Sequence, residues 1–356
     1  MTVKFPSDIS PENTQPDSSG QFAPDSPRVV WLSRLGAVFL ALELYVFGRW
    51  VTSDNFRRVM PGPDDGTNML WIRFWDVLSI GGSLVFVAWI VRKRLREGQL
   101  PPVAIVVMAW ALTAWQDPLV NALRPVFAYN SHFWNFGSWG EFIPGWIANG
   151  GTNPQPVFWT IGTYLFFVPL NMMGVELYLN WVRRHLPRIN RAGLIAFLMV
   201  LMFAQDVLGE LVTLLQGVDR YVWVGGNISL WPGTNHQFPL YEGLAWGCGM
   251  VGLSAVIYCF RDGRGHFFSD RGVDRLTIRR GRTVVRVLAL GAVFNAAMLV
   301  FNLGYVTVNQ HADTTQQTVP SYLKNGMCGM GDNPACVRDW TAGPGAVENR
   351  TTQPRG

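Results

Sequence analysis

The chain has 356 residues, 49% of them hydrophobic and only 15% charged, with a formal net charge of +5. About 25% charged residues is usual for a soluble protein; here the apolar residues gather in runs of about twenty, the length that crosses a bilayer. This excludes a soluble enzyme. It also argues against a nucleic-acid partner, because the basic residues sit between the apolar runs, where they report topology.

Residues 1–28 are rich in Pro, Ser, Asp and Gln and lack the apolar core of a signal peptide. They are expected to be a disordered cytoplasmic segment. Seven apolar runs follow, at about 29–51, 69–92, 102–123, 157–182, 191–215, 238–260 and 284–306. The expected fold is an all-α integral membrane protein, a bundle of about seven transmembrane helices over 29–306. An aromatic-rich re-entrant or interfacial segment follows helix 3, and a polar tail occupies 307–356.

The connections alternate in charge. The loop 92–101 carries Arg92, Lys93, Arg94 and Arg96; the loop 183–191 carries Arg183, Arg184, Arg188 and Arg191; the loop 261–283 carries seven arginines. The loops 52–68, 124–156 and 216–237 hold two, one and one. Positive residues stay on the cytoplasmic side. The expectation is a multi-pass protein of the plasma membrane with a cytoplasmic N-terminus and an extracytoplasmic C-terminus. Cys328 and Cys336, in "CGMGDNPAC", then face an oxidising compartment and are disulfide candidates. Cys248 and Cys259, in the sixth run, read as small packing residues.

With that orientation, the acids inside the spans fall at one depth. Glu43, Asp76, Asp117, Asp206, Glu210 and Glu242 all lie in the outer half; Glu176 lies toward the inner side, near Arg183 and Arg184. Isolated carboxylates in lipid pair with a cation or take up protons. Arg49 and Arg73 are candidate partners, as are His132 and His236 in the outer loops. The structural alternative is a set of ion pairs and hydrogen bonds that tie the spans together.

Asp206 and Glu210, in "AQDVLGELV", are i and i+4 and share a helix face. Two carboxyls this close titrate as a pair, which suits one for proton donation and the other as base or cation stabiliser. Adding His236 from "GTNHQFPLYEG" would make a two-carboxylate, one-histidine set, but the spacing is no recognised ligand motif, so no metal is expected. Asp117 ends the third run in "WQDPL", and Pro118 is expected to let the chain leave the helix there. The segment 124–156 follows neither a 3.6-residue nor a 2-residue period. It reads as an aromatic belt at the interface, or as a lid over the acids in which Tyr129, Asn130, Ser131, His132, Trp134, Asn135 and Trp139 contact a substrate, together with His236, Glu43 and Asp76.

"WQDPL", "FAYNSHFWNFGSW", "DVLGE", "NHQFPLYEG", "RGVDR" and "NGMCG" occur in that order between residues 115 and 329, within a likeness that runs from about residue 30 to residue 336. In these motifs the chain resembles the AveC-like spirocyclase family of actinobacterial membrane proteins. The resemblance implies closure of a dihydroxy-ketone into a spiroketal, with dehydratase activity as a related reaction, and no cofactor. Such a reaction passes through an oxocarbenium ion and needs a proton donor and a carboxylate, here Asp117, Asp206, Glu210 and Glu242. Two other readings share the residues: a different terpenoid or polyketide cyclase or dehydratase, and a membrane protein that binds lipid or small molecules without chemistry. A transporter would usually show repeated halves, and none is visible. A retinal protein needs a lysine in its last span, and the lysines are Lys4, Lys93 and Lys324. The partners expected are the lipid bilayer and an apolar small-molecule substrate. The sequence leaves the oligomeric state open.

Overall fold

A computed structural model describes residues 27–59, 61, 68–123, 126–147, 154–277 and 281–315. The expected disordered N-terminus and the Cys328/Cys336 pair lie outside these residues. The chain is an all-α membrane bundle. Its long helices are α1 (Pro27–Val51), α2 (Met69–Glu97), α4 (Val157–His185), α5 (Arg191–Leu215), α6 (Leu240–Cys259) and α7 (Arg282–Gln310). Each is long and apolar enough to cross a bilayer. In lipid every peptide group must be satisfied within the segment, which makes these runs helices.

The remaining run is a broken span. Helix α3 (Pro102–Ala111) is followed by a 3-10 segment, Ala114–Asn121, bent from it by 47°. The break falls at Leu112 and Thr113, ahead of the expected exit at Pro118. Asn295 of α7 is the cause. Its Nδ2 donates to the Leu112 carbonyl at 3.0 Å, and its Oδ1 accepts from Trp115 Nε1 at 3.0 Å and Gln116 Nε2 at 2.9 Å. The first satisfies a backbone carbonyl freed at the bend, and the other two tie the side chains of the 3-10 segment to α7. Pro118 sits inside the 3-10 segment, where its missing N–H does less harm than in an α-helix.

Helix ends carry the expected local signals. Asn68 caps α2 through the Leu70 N–H, and Asn190 caps α5 through the Gly193 N–H. Gly98 ends α2 with φ of 71°, a conformation that an L side chain adopts only at a cost. Helix α7 runs on to Gln310, past the expected end at 306, and the chain beyond it pairs back onto the bundle.

The arginine-bearing connections share one end of the bundle. Buried Asp270 pairs with Arg286 at 2.5 Å, and Arg261 pairs with Glu176 of α4. Burial raises the Asp270 carboxyl above its usual range, against the pull of Arg286. At the opposite end lie three short antiparallel pairings: β1 (Phe127–Tyr129) with β2 (Asp219–Tyr221), β3 (Trp223–Val224) with β6 (Thr314–Thr315), and β4 (Ser229–Leu230) with β5 (Phe238–Pro239). The main apolar core lies among α3, α4, α5, α6 and α7. Leu84, Val85, Leu177, Val200, Leu208, Val300 and Leu303 point outward, as lipid-facing residues should.

Candidate active site

Helices α5 and α6 pack face to face at a glycine. A Cβ on Gly247 would lie 2.8 Å from the Asp206 Cβ, so only glycine admits this approach. Contact this close sets Asp206, and Glu210 one turn later, opposite Glu242 at the start of α6. Both flanking helices widen beside them into π-helical turns, Thr163–Phe167 in α4 and Gly243–Gly252 in α6. Such turns recur at functional sites because the extra residue per turn re-aims side chains.

Between these elements is a cavity of about 310 Å³. Five carboxyls line it: Asp117, Asp206, Glu210, Asp219 and Glu242. Trp75, Trp159, Phe167, Trp246 and Phe301 form much of the wall, and among the described residues no lysine or arginine lines it. The sequence-predicted acids Asp117, Asp206, Glu210 and Glu242 thus share one cavity. They come from the broken span, α5 and α6.

Hydroxyl groups meet the acids. Tyr221 donates to Glu210 Oε2 at 3.1 Å, and Tyr164 donates to Asp117 Oδ1 at 3.2 Å. Tyr129 also reaches Asp117, and Tyr305 of α7 reaches Glu242. Asp206 Oδ2 and Glu242 Oε2 are buried without a hydrogen-bond partner among the described residues. The carboxyls of Asp206, Glu210, Asp219 and Glu242 lie within electrostatic reach of one another. Groups this close titrate as a cluster rather than singly.

Asp219 lies in β2, beyond the end of α5. Burial pushes its carboxyl up from 3.8 to about 7, against a hydrogen bond from Thr213 and the charge of Arg220. The phenols of Tyr129 and Tyr221 are pushed well above their ordinary value, first by burial and then by Asp117 and Glu210 respectively. They therefore stay protonated and serve as donors.

Asp219 carries a pH prediction. Its folded pKa is above its unfolded one, so folding favours the protonated form. Stability is full below about pH 4 and falls as pH rises toward about 7, where the folded protein also ionises. In detergent, the unfolding midpoint of the wild type should drop across that window relative to Asp219→Asn. Parallel curves would exclude this role.

The aromatic segment after the broken span does not lie over the cavity as a whole. Among its described residues only Phe127 and Tyr129 line it, set by Asn121, whose Oδ1 accepts from the Val126 and Phe127 N–H groups. Asn130, His132, Trp134, Asn135 and Trp139 lie elsewhere, engaged in building a cap. Asn130 donates to the Gly217 carbonyl and accepts from His132; Asn135 bonds both ways with the Val59 backbone. Trp134 lies under Arg58, and Trp139 packs on Trp50 and Phe47.

Asp76 pairs with Arg73 at 2.6 Å, outside the cavity. Glu43 is buried on α1, near Tyr164, and does not line it either. Arg49 and His236 are exposed. Burial and the neighbouring Arg220 lower the His236 pKa. Asn302 spends its amide on the Met298 carbonyl of its own helix. Among the described residues, no three His, Cys, Asp or Glu side chains are arranged to hold a metal.

Sequence reasoning missed Asp219, Tyr221 and Tyr305. Asp219 and Tyr221 reach the cavity through the long-range pairing of β2 with β1. Tyr305 lies on α7, a span with no carboxyl to mark it in the sequence.

A family model described as Spirocyclase AveC-like matches residues 96–326. The match takes in the broken span, the aromatic cap and every carboxyl of the cavity. Comparison with curated proteins and with solved structures found no match.

Proposed function

Because this chain belongs to the AveC-like spirocyclase family, we propose that it is a membrane-embedded cyclase acting on a dihydroxy-ketone of polyketide type. The reaction is acid/base-catalysed ring closure to a spiroketal with loss of one water. The observation that supports it most is five carboxyls lining one aromatic cavity, with no lysine or arginine beside them among the described residues.

The chemistry suits these groups. One substrate hydroxyl adds to the carbonyl carbon, and its proton ends on the carbonyl oxygen, giving a hemiketal. A carboxylic acid then protonates the hemiketal hydroxyl, which leaves as water, and an oxocarbenium ion remains. The second hydroxyl attacks that carbon, and its proton passes to a carboxylate. One water is lost and no electrons are transferred, so no redox cofactor enters the balance.

Asp206 presents an oxygen with no partner among the described residues and serves as proton donor. Glu210, held by the Tyr221 hydroxyl, takes the attacking hydroxyl's proton. Asp117 and Glu242 balance the cation; glycosidases solve a related oxocarbenium problem with a carboxyl pair. The faces of Trp246 and Phe301 add cation–π stabilisation and exclude water.

The test incubates membranes carrying the protein with a panel of dihydroxy-ketones and follows products by chiral chromatography with mass detection. Stereoselective loss of one water that disappears in Asp206→Asn supports the reading. A product identical to the racemic background across the panel would count against it.

We propose that the basic end faces the cytoplasm of a cell whose plasma membrane holds the protein, with the cavity toward the outer leaflet; the arginine distribution supports this orientation. A phosphatase reporter fused after residue 315 should be active and a fluorescent cytoplasmic reporter dark. The reverse pattern would invert the orientation.

A further inference from the structure

The cavity has an unusual wall. Helices α4 and α5 follow one another in the chain but do not pack as a helix pair. Near the arginine-rich end they meet through a stack of Trp181 on Phe197. At mid-depth the bridge is polar: Gln205 of α5 donates to Asn171 of α4 and accepts from Tyr178 at 3.5 Å. One turn farther from the arginine-rich end lies Gly209, where an added Cβ would meet nothing within 4 Å.

Gln205 and Gly209 are both exposed, and both line the acid cavity. Around them Leu170, Met173, Leu208 and Val212 face outward as lipid contacts. An amide on a lipid-facing surface is expensive unless it serves a purpose. Here the amides span a gap that joins the hydrocarbon to the carboxyls.

We propose that the cleft between α4 and α5 is a lateral portal, through which an amphiphile dissolved in the bilayer reaches the acids. The occupant is an oxygenated, multiply hydroxylated head on a hydrocarbon chain. The head passes the Asn171–Gln205 amides, which exchange their mutual bond for bonds to its hydroxyls. The chain stays against Gly209 and the lipid. This rests on the cavity being the reaction site.

The test uses the full chain in phosphatidylcholine nanodiscs and a long-chain dihydroxy-ketone with a diazirine near its head. After illumination, labelled peptides are mapped by mass spectrometry. The wild type should be labelled on cavity residues such as Phe167 and Trp246. Gly209→Trp, which fills empty space, should lose that label, as should Gln205→Trp. Gly48→Trp puts the same bulk on an open, exposed face of α1 and should keep it.

Cavity labelling that survives both blocking variants overturns the portal, as does an unlabelled wild-type cavity. Glu210→Gln separates the two readings, because it should keep the label while losing turnover. A wild type labelled in this pattern that never turns over the probe would leave the portal standing and count against the cyclase.

Discussion

Glu210→Gln is expected to slow stereoselective cyclisation by about two to four orders of magnitude, the usual loss when a positioned acid or base is removed, with the folded protein still in the membrane. Glu210 is the hub of the cluster. Asp206, Asp219 and Glu242 all act on it electrostatically, and Tyr221 donates to it at 3.1 Å. Glutamine has nearly the same shape, and its carbonyl can still accept from Tyr221. What it cannot do is take or release a proton. The variant therefore separates chemistry from packing.

Folding should not suffer, since a neutral amide replaces a carboxyl held among other carboxyls away from water. Equal rates in variant and wild type would remove Glu210 from the chemistry and leave Asp117, Asp206 and Glu242 as candidates. Failure of the variant to accumulate would make the cluster structural. Glu43→Gln is the matching control: that carboxyl is buried but lies outside the cavity, so its loss should change the rate far less.

Much of the architecture was legible because lipid imposes strong local rules. A run of apolar residues must be a helix, and arginines must stay at one end, so the spans and the common depth of Asp117, Asp206, Glu210 and Glu242 follow from residue types. Register between distant segments has no such rule. Nothing in "GVDRY" announces that Asp219 and Tyr221 pair with Phe127–Tyr129. The two π-helical turns are likewise silent in the sequence, because they answer to tertiary packing. The bend of the third span was misplaced for the same reason: Pro118 is a local signal, whereas Asn295, which fixes the break at Leu112, lies on another helix. Residues such as Asn130 and Asn135 looked like substrate contacts because they are polar among aromatics. They are consumed in satisfying the backbone of the cap, which a non-helical segment needs wherever water is scarce.

Gly36→Leu is expected to destabilise the protein by about 3 kcal/mol or more, at the upper end of overpacking costs because the clash is with backbone. A Cβ at Gly36 would lie 2.0 Å from the Leu288 carbonyl oxygen, 2.6 Å from its carbon and 2.9 Å from its Cα. No rotamer relieves that contact, so α1 and α7 must separate. Close helix approach at a small residue is a main source of cohesion in lipid, where no hydrophobic force holds helices together. The damage would spread to the cavity. Helix α7 supplies Met298, Phe301 and Tyr305 to its wall, and through Asn295 it holds the broken span that carries Asp117. Even Gly36→Ala adds the offending atom and should lower the unfolding midpoint in detergent. Gly48→Leu, on the same helix with open space around it, should leave that midpoint unchanged. Equal midpoints for Gly36→Leu and Gly48→Leu would show that the α1–α7 seam yields at little cost, and that the cavity wall does not depend on it.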